Sequence, residues 1–471
     1  MPARLPCSCT IKMYPQRPLR DSCMSPVSAS EKIDLLVTGG TVLTMNAGRE
    51  LIRDGAVAIA GDTIRAVGKS SDLSARFVAA HTIDARGALI LPGLINGHAH
   101  AAMSLFRGLA DDLALEDWLQ KHIFPAEAAN VNPEFVACGT RLSMLEMLRA
   151  GITAYADMYY FEDVVARVTK ETGMRGILGE TIVDFPAPDH KTPAEALRYT
   201  EKFLADWKND PLIVPAVAPH AIYTCCEKTL LDSAALARQH GAPILIHISE
   251  APFEIEQSRK KLGHSPIGYL AKIGFLGADV VGAHCIWVDA DDIALLKKFS
   301  VGCIHNPSSN MKLASGIMPV VDFLAAGHPV GLATDGAASN NSQDIFEEMD
   351  TAAKLQKIAR MDPRALPAIQ VVEMATIGGA RALHLDHLVG SLEPGKKADL
   401  IFVDTNGPHA TPMYDVYSQL VYALRGSDVK TVIIGGKLLM QNHRMLTIDE
   451  EKTLCEARAY QKKLAAWAKL A

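Results

Sequence analysis

Residues 88–100 read ALILPGLINGHAH, a short apolar run that ends in two histidines separated by one residue. Because side chains alternate along a strand, His98 and His100 would point to the same face if the strand continues to its end. Two neutral imidazoles that converge in this way form half of a site for a divalent metal such as zinc. Two polar histidines on a loop are the alternative, and the rest of the chain decides between them.

Three further apolar runs end in residues of the same chemical kind. The runs and their polar ends are PILIHISE at 243–250 with His247 and Glu250, VVGAHC at 280–285 with His284, and PVGLATDG at 329–336 with Asp335. Each run reads as a short buried strand of a parallel sheet. In a (β/α)8 barrel, catalysis takes place at the carboxyl ends of the strands. Four such endings predict one shared site, although any one of these residues alone could be a polar group that caps a strand.

Between residues 94 and 390, strand-like runs alternate with amphipathic stretches of helix length, such as 140–150 and 230–240. This alternation favours βα units and a parallel sheet, and eight units in about 300 residues fit a closed barrel. A doubly wound open sheet is the alternative, but no glycine-rich phosphate loop follows the first barrel strand. Short alternating segments flank this region from residue 33 and again from residue 398, and they indicate a small antiparallel sheet.

The composition excludes several classes of partner. Of the 471 residues, 49% are hydrophobic and 21% charged, which is typical of a globular protein with ample core-forming material. A net charge of −6 gives no electrostatic reason to expect binding to nucleic acid or to an anionic membrane. No apolar run approaches the roughly 20 residues of a membrane span. The nine cysteines include no Cys-x-x-Cys pair, so we expect reduced thiols and a cytoplasmic location.

Eight motifs together resemble a known family. They are PGLINGHAH, LEDWLQKHIFPAE, APHAIYT, LIHISE, GAHC, HNPSSNMKLASG, GLATDGAASNN and LEPGKKADLIFVD. Their order along residues 33–445 is similar to that of the amidohydrolase superfamily, and within it of the 5-methylthioadenosine/S-adenosylhomocysteine deaminases. The resemblance implies a (β/α)8 TIM-type barrel with a small composite β-sandwich domain built from both flanks. It also implies hydrolytic deamination of 5′-modified adenine nucleosides to the inosine analogues and ammonia.

The implied organisation has four parts. They are a disordered extension at 1–31, the small β domain at 32–93 and 391–445, the metal-dependent barrel at 94–390, and a C-terminal helix at 446–471. The implied substrates are 5′-methylthioadenosine and S-adenosylhomocysteine, with adenosine and 5′-deoxyadenosine as further candidates. The net charge and the apolar runs already indicate that no nucleic acid or membrane partner is expected. Because members of the family are often oligomers, a homo-oligomer is also expected.

The resemblance assigns His98, His100, His247 and Asp335 as ligands of one divalent ion. Three imidazoles and a carboxylate suit zinc, with iron, nickel and manganese left open. Binuclear relatives carry a carboxylated lysine at the end of the fourth barrel strand. The corresponding run at 212–220 contains no lysine, so a single ion is expected.

The proton-transfer roles fall on three residues. His284 and Asp335 are expected to accept the proton of the attacking water, and Asp335 to pass a proton to the departing amine. Glu250 is expected to protonate the purine ring nitrogen, which separates an acid from a base. Strand alternation alone would turn Glu250 away from His247, so we expect Glu250 in the loop just beyond the strand end.

Four residues are candidates for substrate binding. Glu127 follows the second histidine of HAH at the family spacing for a carboxylate on the ribose hydroxyls, or it is a helix-surface glutamate. His220 matches the family histidine that binds the base. Trp118 would contact the 5′ substituent, or it is a core tryptophan. Arg175 is the best match for a family arginine at the substrate pocket.

Two other functions compete with this one. An aminohydrolase or chlorohydrolase of guanine-like bases or triazines would share the chemistry, but Glu127 favours a ribose. A non-catalytic scaffold would have lost metal ligands, whereas this chain keeps every ligand and both proton-transfer groups.

Overall fold

A computed structural model describes residues 31–468, and two sheets define its architecture. The flanks of the chain form one mixed sheet of nine strands. These are β1 (Glu31–Leu43), β2 (Leu51–Ala60), β3 (Thr63–Lys69), β4 (Phe77–Asp84) and β5 (Ala88–Pro92), then, after the barrel, β14 (Leu400–Asp404), β15 (Val429–Ile434), β16 (Lys437–Gln441) and β17 (Arg444–Met445). Antiparallel pairing of β5 with β14 joins the two flanks, with Ile90 opposite Phe402. This confirms a composite β domain, whose strands share one hydrogen-bonded sheet.

The second sheet is the barrel, whose eight strands lie side by side in chain order. They are β6 (Leu94–Ala99), β7 (Ile152–Tyr159), β8 (Arg175–Ile182), β9 (Ile213–Pro219), β10 (Ile244–Ile248), β11 (Val280–His284), β12 (Gly302–His305) and β13 (Val330–Leu332). Every pairing between neighbours is parallel. Side chains link the last strand to the first, because Asn96 Nδ2 donates to Thr334 Oγ1 at 2.8 Å and Asn96 Oδ1 accepts from Thr334 N at 3.0 Å. The predicted (β/α)8 barrel is confirmed.

Helices cover the strands. They are α1 (Ser70–Arg76), α2 (Leu115–Trp118), α3 (Phe124–Asn130), α4 (Pro133–Arg149), α5 (Glu162–Thr172), α6 (Pro193–Trp207), α7 (Glu227–His240), α8 (Pro252–Leu262), α9 (Pro266–Lys272), α10 (Ala290–Lys298), α11 (Pro307–Lys312), α12 (Val320–Ala325), α13 (Ala337–Asn340), α14 (Ile345–Arg360), α15 (Ala368–Met374), α16 (Ile377–Ala382), α17 (Val416–Tyr422) and α18 (Glu450–Ala468). A π-helical turn, Leu119–Ile123, connects α2 to α3, and 3-10 turns span Ala101–Phe106, Pro408–Ala410 and Gly426–Asp428. Several helices begin at a polar cap followed by proline, as at Asn132, which accepts from Phe135 N at 2.9 Å.

The predicted boundaries fall close to these elements. The extension predicted at 1–31 lies outside the described residues except for Glu31, which begins β1. The predicted C-terminal helix spans Glu450–Ala468 in the part of the chain that the structure describes. We retain as a proposal the division into 32–93 with 391–445 and 94–390. None of the helices between residues 31 and 468 is long and apolar enough to cross a membrane.

The interior of the barrel restricts polar chemistry to one end. Buried apolar side chains from β6 to β12, among them Ile95, Ile177, Leu245, Val281 and Ile304, pack together inside the strands. These layers fill the space beneath the carboxyl ends of the strands. A polar site inside the barrel therefore has room only at the carboxyl ends of the strands.

Candidate metal-dependent active site

The predicted metal ligands converge at the carboxyl ends of three strands. His98 is in β6, His100 follows that strand directly, His247 is in β10, and Asp335 lies in the loop after β13. The ring of His98 is 4.8 Å from that of His100 and 4.8 Å from that of His247. Asp335 Oδ1 lies 3.4 Å from His98 Nε2 and 3.3 Å from His100 Nε2. The sequence-based prediction that these four side chains share a site agrees with this geometry.

Hydrogen bonds fix which ring nitrogen faces the centre. His100 Nδ1 donates to Met158 O at 2.6 Å, and His247 Nδ1 donates to His220 O at 2.9 Å. In both rings Nδ1 is thereby committed to a backbone carbonyl and Nε2 faces the centre, which is the arrangement of a metal-binding histidine. His98 Nε2 is buried and has no hydrogen-bond partner within residues 31–468. Buried polar atoms rarely lack a partner, so this nitrogen indicates that His98 binds a metal ion.

The carboxylate and the fourth histidine are held by side chains of α11, which follows β12, and of α13, which follows β13. Asp335 Oδ2 accepts from Ser309 Oγ at 2.6 Å and from Ser339 Oγ at 2.9 Å. His284 Nδ1 lies 2.8 Å from Asn310 Oδ1, so its Nε2 faces the site. Ser309, Ser339 and Asn310 were not predicted as functional residues. Ser309 and Asn310 lie in HNPSSN at 305–310, and Ser339 lies in DGAASNN at 335–341, and each of these stretches follows a strand.

The backbone turns sharply where the site residues leave their strands. Ser249, His284 and Asp335 have φ angles of 53°, 73° and 64°, a left-handed conformation that non-glycine residues seldom adopt. Such conformations concentrate at active sites, where the surrounding structure stabilises them. Ser249 ends the alternation of β10, and this brings Glu250 back to the same cavity as His247. Glu250 lies in the loop beyond the strand, where the sequence predicts it.

Glu250 is buried in the cavity beside His284. Its Oε1 lies 3.8 Å from His284 Nε2, and its backbone N–H donates to Glu254 Oε2 at 2.8 Å. Burial raises the pKa of Glu250, which favours the protonated carboxyl. Burial also lowers the pKa of His98 to about 4, which keeps the imidazole neutral and able to bind a metal ion.

These groups open onto one cavity at the carboxyl ends of the barrel strands. Glu127, His220 and Trp118 line it, together with three tyrosines that the sequence did not single out, Tyr159, Tyr160 and Tyr223. His220 Nδ1 lies 3.0 Å from Thr224 Oγ1, whose hydroxyl donates to Ala221 O. The ring of His220 therefore donates through Nδ1 and presents Nε2 as an acceptor.

The structure does not bring Arg175 to the cavity. Arg175 is the first residue of β8, and its guanidinium forms a buried ion pair with Asp399, with Nε 2.9 Å from Oδ2. Thr181, six residues later on the same strand, lines the cavity, and six residues of strand span about 20 Å. The assignment of Arg175 to substrate binding is therefore corrected. Its side chain links the lower end of the barrel to the small β domain.

This correction predicts the behaviour of Arg175→Met. Removing one partner of a buried ion pair leaves an uncompensated charge, so the free energy of unfolding should fall by about 3–5 kcal/mol. The Michaelis constants of the protein that remains folded should not change. Thermal denaturation and steady-state kinetics measure the two quantities. Arg86→Met is the matched control, because Arg86 pairs with Asp84 on the surface and such pairs contribute about 0–1 kcal/mol. A large rise in KM without a loss of stability would restore the substrate role.

The fold and the site together define a class of enzyme, the metal-dependent hydrolases built on a (β/α)8 barrel. The chain belongs to the amidohydrolase family, whose sequence model matches residues 89–439. The resemblance seen in the motifs is thereby confirmed.

Named relatives give the comparison more detail. The 5-methylthioadenosine/S-adenosylhomocysteine deaminase 1 of Syntrophus aciditrophicus is 49% identical over 428 residues, which cover 91% of this chain and 97% of that protein. The 5′-deoxyadenosine deaminase of Methanosarcina acetivorans is 43% identical over 435 residues, 92% of this chain and 99% of that protein. Among solved structures, an adenosine deaminase from Xanthomonas campestris with bound zinc superposes with a TM-score of 0.91 at 37% identity, covering 93% of this chain and all of that one.

Proposed function

We propose that this enzyme deaminates adenine nucleosides that carry a modified 5′ group, releasing ammonia and the inosine analogue. One observation carries the proposal. The ring nitrogens of three histidines and the carboxylate of Asp335 meet in the same cavity as Glu250, His284 and a buried glutamate suited to a ribose. The relatives named for 5-methylthioadenosine, S-adenosylhomocysteine and 5′-deoxyadenosine support the same substrate class.

The donor set fits one divalent ion. The ligand atoms of His98, His100 and His247 lie within 4.8 Å of one another, and those of His98, His284 and Asp335 do so as well. We propose His98, His100, His247 and Asp335 as the ligands, and zinc as the ion, because three imidazoles and a carboxylate suit it. A bound zinc ion lowers the pKa of water, so that hydroxide is available at neutral pH. We assign His284 to proton transfer and not to the metal, because its Nε2 lies 3.8 Å from Glu250 Oε1.

The protein's own groups account for the movement of protons. Water adds its oxygen to C6 of the purine while Glu250 protonates N1. His284 and Asp335 accept the proton lost by the water, and Asp335 passes a proton to the exocyclic amine. The bond between C6 and that nitrogen then breaks and ammonia leaves. The new hydroxyl on C6 gives up its remaining proton, which returns to Glu250, so the product keeps a C6 carbonyl and the proton on N1. Each transfer involves a group that is buried at the same end of the barrel.

Glu127 is proposed to bind the ribose. Its carboxyl group is buried, lines the cavity, and lies on α3, which follows the π-helical turn. A carboxylate can accept a hydrogen bond from each of two vicinal hydroxyls. Burial raises the pKa of Glu127 to about 7, so hydroxyl donors that stabilise its ionised form are well matched to this position.

Glu127→Gln should raise KM for ribonucleosides by about tenfold to a hundredfold, because a charge-assisted hydrogen bond is lost. The KM for the 2′,3′-dideoxy analogue should change little, since that analogue has no hydroxyl to donate. Comparing KM for both substrates in the wild type and in the variant separates a loss of ribose binding from general damage to the enzyme. An equal loss on both substrates would contradict the ribose role. Metal content should be unchanged in the variant.

A substrate panel tests the proposed function. Zinc-loaded protein is assayed for ammonia release from 5′-methylthioadenosine, S-adenosylhomocysteine, adenosine, 5′-deoxyadenosine, adenine, guanine and a chlorotriazine. Turnover of the nucleosides without turnover of the free bases supports the proposal. Turnover of bases or triazines alone would overturn it and favour the aminohydrolase or chlorohydrolase alternative.

Two further properties stay proposals. A cytoplasmic location is supported by the six described cysteines, all of which are free thiols. A homo-oligomer is proposed from the family resemblance alone, and sedimentation of the purified protein tests it.

A further inference from the structure

We infer that this enzyme selects nucleosides whose 5′ substituent is uncharged, so that it deaminates 5′-methylthioadenosine and 5′-deoxyadenosine in preference to S-adenosylhomocysteine. The inference rests on the proposed function and narrows its substrate class. It comes from the charge and polarity of the side chains that line the cavity.

One wall of the cavity is apolar and comes from a single stretch, residues 115–124. Its lining side chains are Leu115, Trp118, Leu119, Ile123 and Phe124. The π-helical turn lies in this stretch, and such turns are frequent at functional sites. Trp118 Nε1 donates to Ala110 O at 3.1 Å. Because this is the only polar group of the indole, the wall presents hydrocarbon to a ligand.

This wall is placed to meet the 5′ end of a nucleoside. Glu127 follows Phe124 by three residues and Ile123 by four, and side chains at these separations lie on the same side of a helix. A ribose held by Glu127 therefore places its 5′ carbon beside the apolar wall. A methyl or methylthio group there would be transferred from water to hydrocarbon, which is favourable.

Apart from its histidines, the ionisable groups that line the cavity are carboxyl groups and tyrosines. Glu127, Glu250 and Asp335 line it, and no lysine or arginine of residues 31–468 does. The one arginine that the sequence suggested for this purpose, Arg175, is paired with Asp399 elsewhere. The amino-acid end of S-adenosylhomocysteine carries an ammonium group, which acidic side chains can accept, and a carboxylate, for which no lysine or arginine of residues 31–468 lines the cavity. A buried charge without a partner is strongly disfavoured.

The groove that adjoins the cavity at Leu115 does not supply the missing cation. Its lining includes one lysine among the described residues, Lys312. The ammonium group of Lys312 already contacts the carboxylate of Asp111 and the side-chain oxygen of Asn341. The other charged side chains of the groove are acidic, Asp112 and Glu116. A substrate carboxylate that extended into the groove would meet net negative charge.

The test compares kcat/KM for the three nucleosides on the zinc-loaded wild-type enzyme. We expect 5′-methylthioadenosine and 5′-deoxyadenosine to exceed S-adenosylhomocysteine by at least about tenfold, the scale on which a pocket discriminates between substrate groups. Leu115→Lys adds a cation where the cavity meets the groove and should raise the relative kcat/KM for S-adenosylhomocysteine. Leu115→Met is the matched control, since it keeps a neutral side chain and should leave the ratio unchanged.

The outcomes distinguish a failure of the inferred substrate preference from a failure of the proposed deaminase function. Equal or higher kcat/KM for S-adenosylhomocysteine in the wild-type enzyme overturns the inference and leaves the deaminase function intact. A protein that deaminates no adenine nucleoside overturns both. The wild-type comparison is decisive even if Leu115→Lys fails to fold.

Discussion

Replacing Glu250 with glutamine should reduce kcat by about 10²- to 10⁴-fold, the range that a positioned general acid or base contributes. Glutamine has nearly the same shape as glutamate but cannot give up a proton to the purine. The backbone contacts of this loop with Glu254 do not involve the side chain of Glu250 and should persist. The loss should therefore appear in kcat while the melting temperature stays close to that of the wild type.

Two measurements accompany this variant. Metal content should stay at the wild-type value, because Glu250 is not one of the proposed ligands. Glu256→Gln is the matched control, since Glu256 lies on α8 only six residues away and is exposed. Its kcat should be unchanged. A Glu250→Gln enzyme with undiminished kcat would show that another group protonates the ring.

Replacing Asp335 with asparagine should have the larger effect, a loss of activity beyond about 10⁴-fold. The substitution removes a charged metal ligand, a proton acceptor and the donor to the leaving amine at once. It also removes the charge that faces His98 and His100 at 3.4 and 3.3 Å. Metal content after purification and dialysis should fall well below one ion per chain. An asparagine variant that keeps its metal and its activity would contradict the assignment.

Ser309→Ala gives a graded comparison for the same carboxylate. Ser309 Oγ donates to Asp335 Oδ2, so its removal loosens a ligand without deleting it. Loss of such a supporting hydrogen bond should weaken metal binding by about tenfold to a hundredfold. Competition with a chelator measures this affinity. Added zinc should restore activity to Ser309→Ala but not to Asp335→Asn.

The convergence of the candidate metal and proton-transfer residues could be predicted because their signal in the sequence is local. His98, His247, His284 and Asp335 each follow a few apolar residues that form a buried strand, and the parallel barrel brings all strand ends to one rim. Strand alternation also indicated that Glu250 can face the same cavity as His247 only if the strand ends before Glu250. The left-handed Ser249 ends the alternation there.

What could not be predicted depends on contacts between distant parts of the chain. Arg175 looked like a pocket residue, but its partner Asp399 lies 224 positions later, and no local pattern joins them. The sequence also gave no sign that Trp118 would turn its indole N–H towards Ala110 and present hydrocarbon to the cavity. Ser309 and Ser339 hold Asp335 from two different helices, α11 and α13, which only the folded barrel brings together.

The most direct test of the account is the reaction itself. Zinc-loaded protein is incubated with 5′-methylthioadenosine in water enriched in heavy oxygen, and ammonia and the nucleoside product are measured together. The account predicts one ammonia for each nucleoside consumed and a product that is the inosine analogue with one heavy oxygen in its base. Release of free adenine, or no reaction of any adenine nucleoside with the metal-loaded protein, would contradict it.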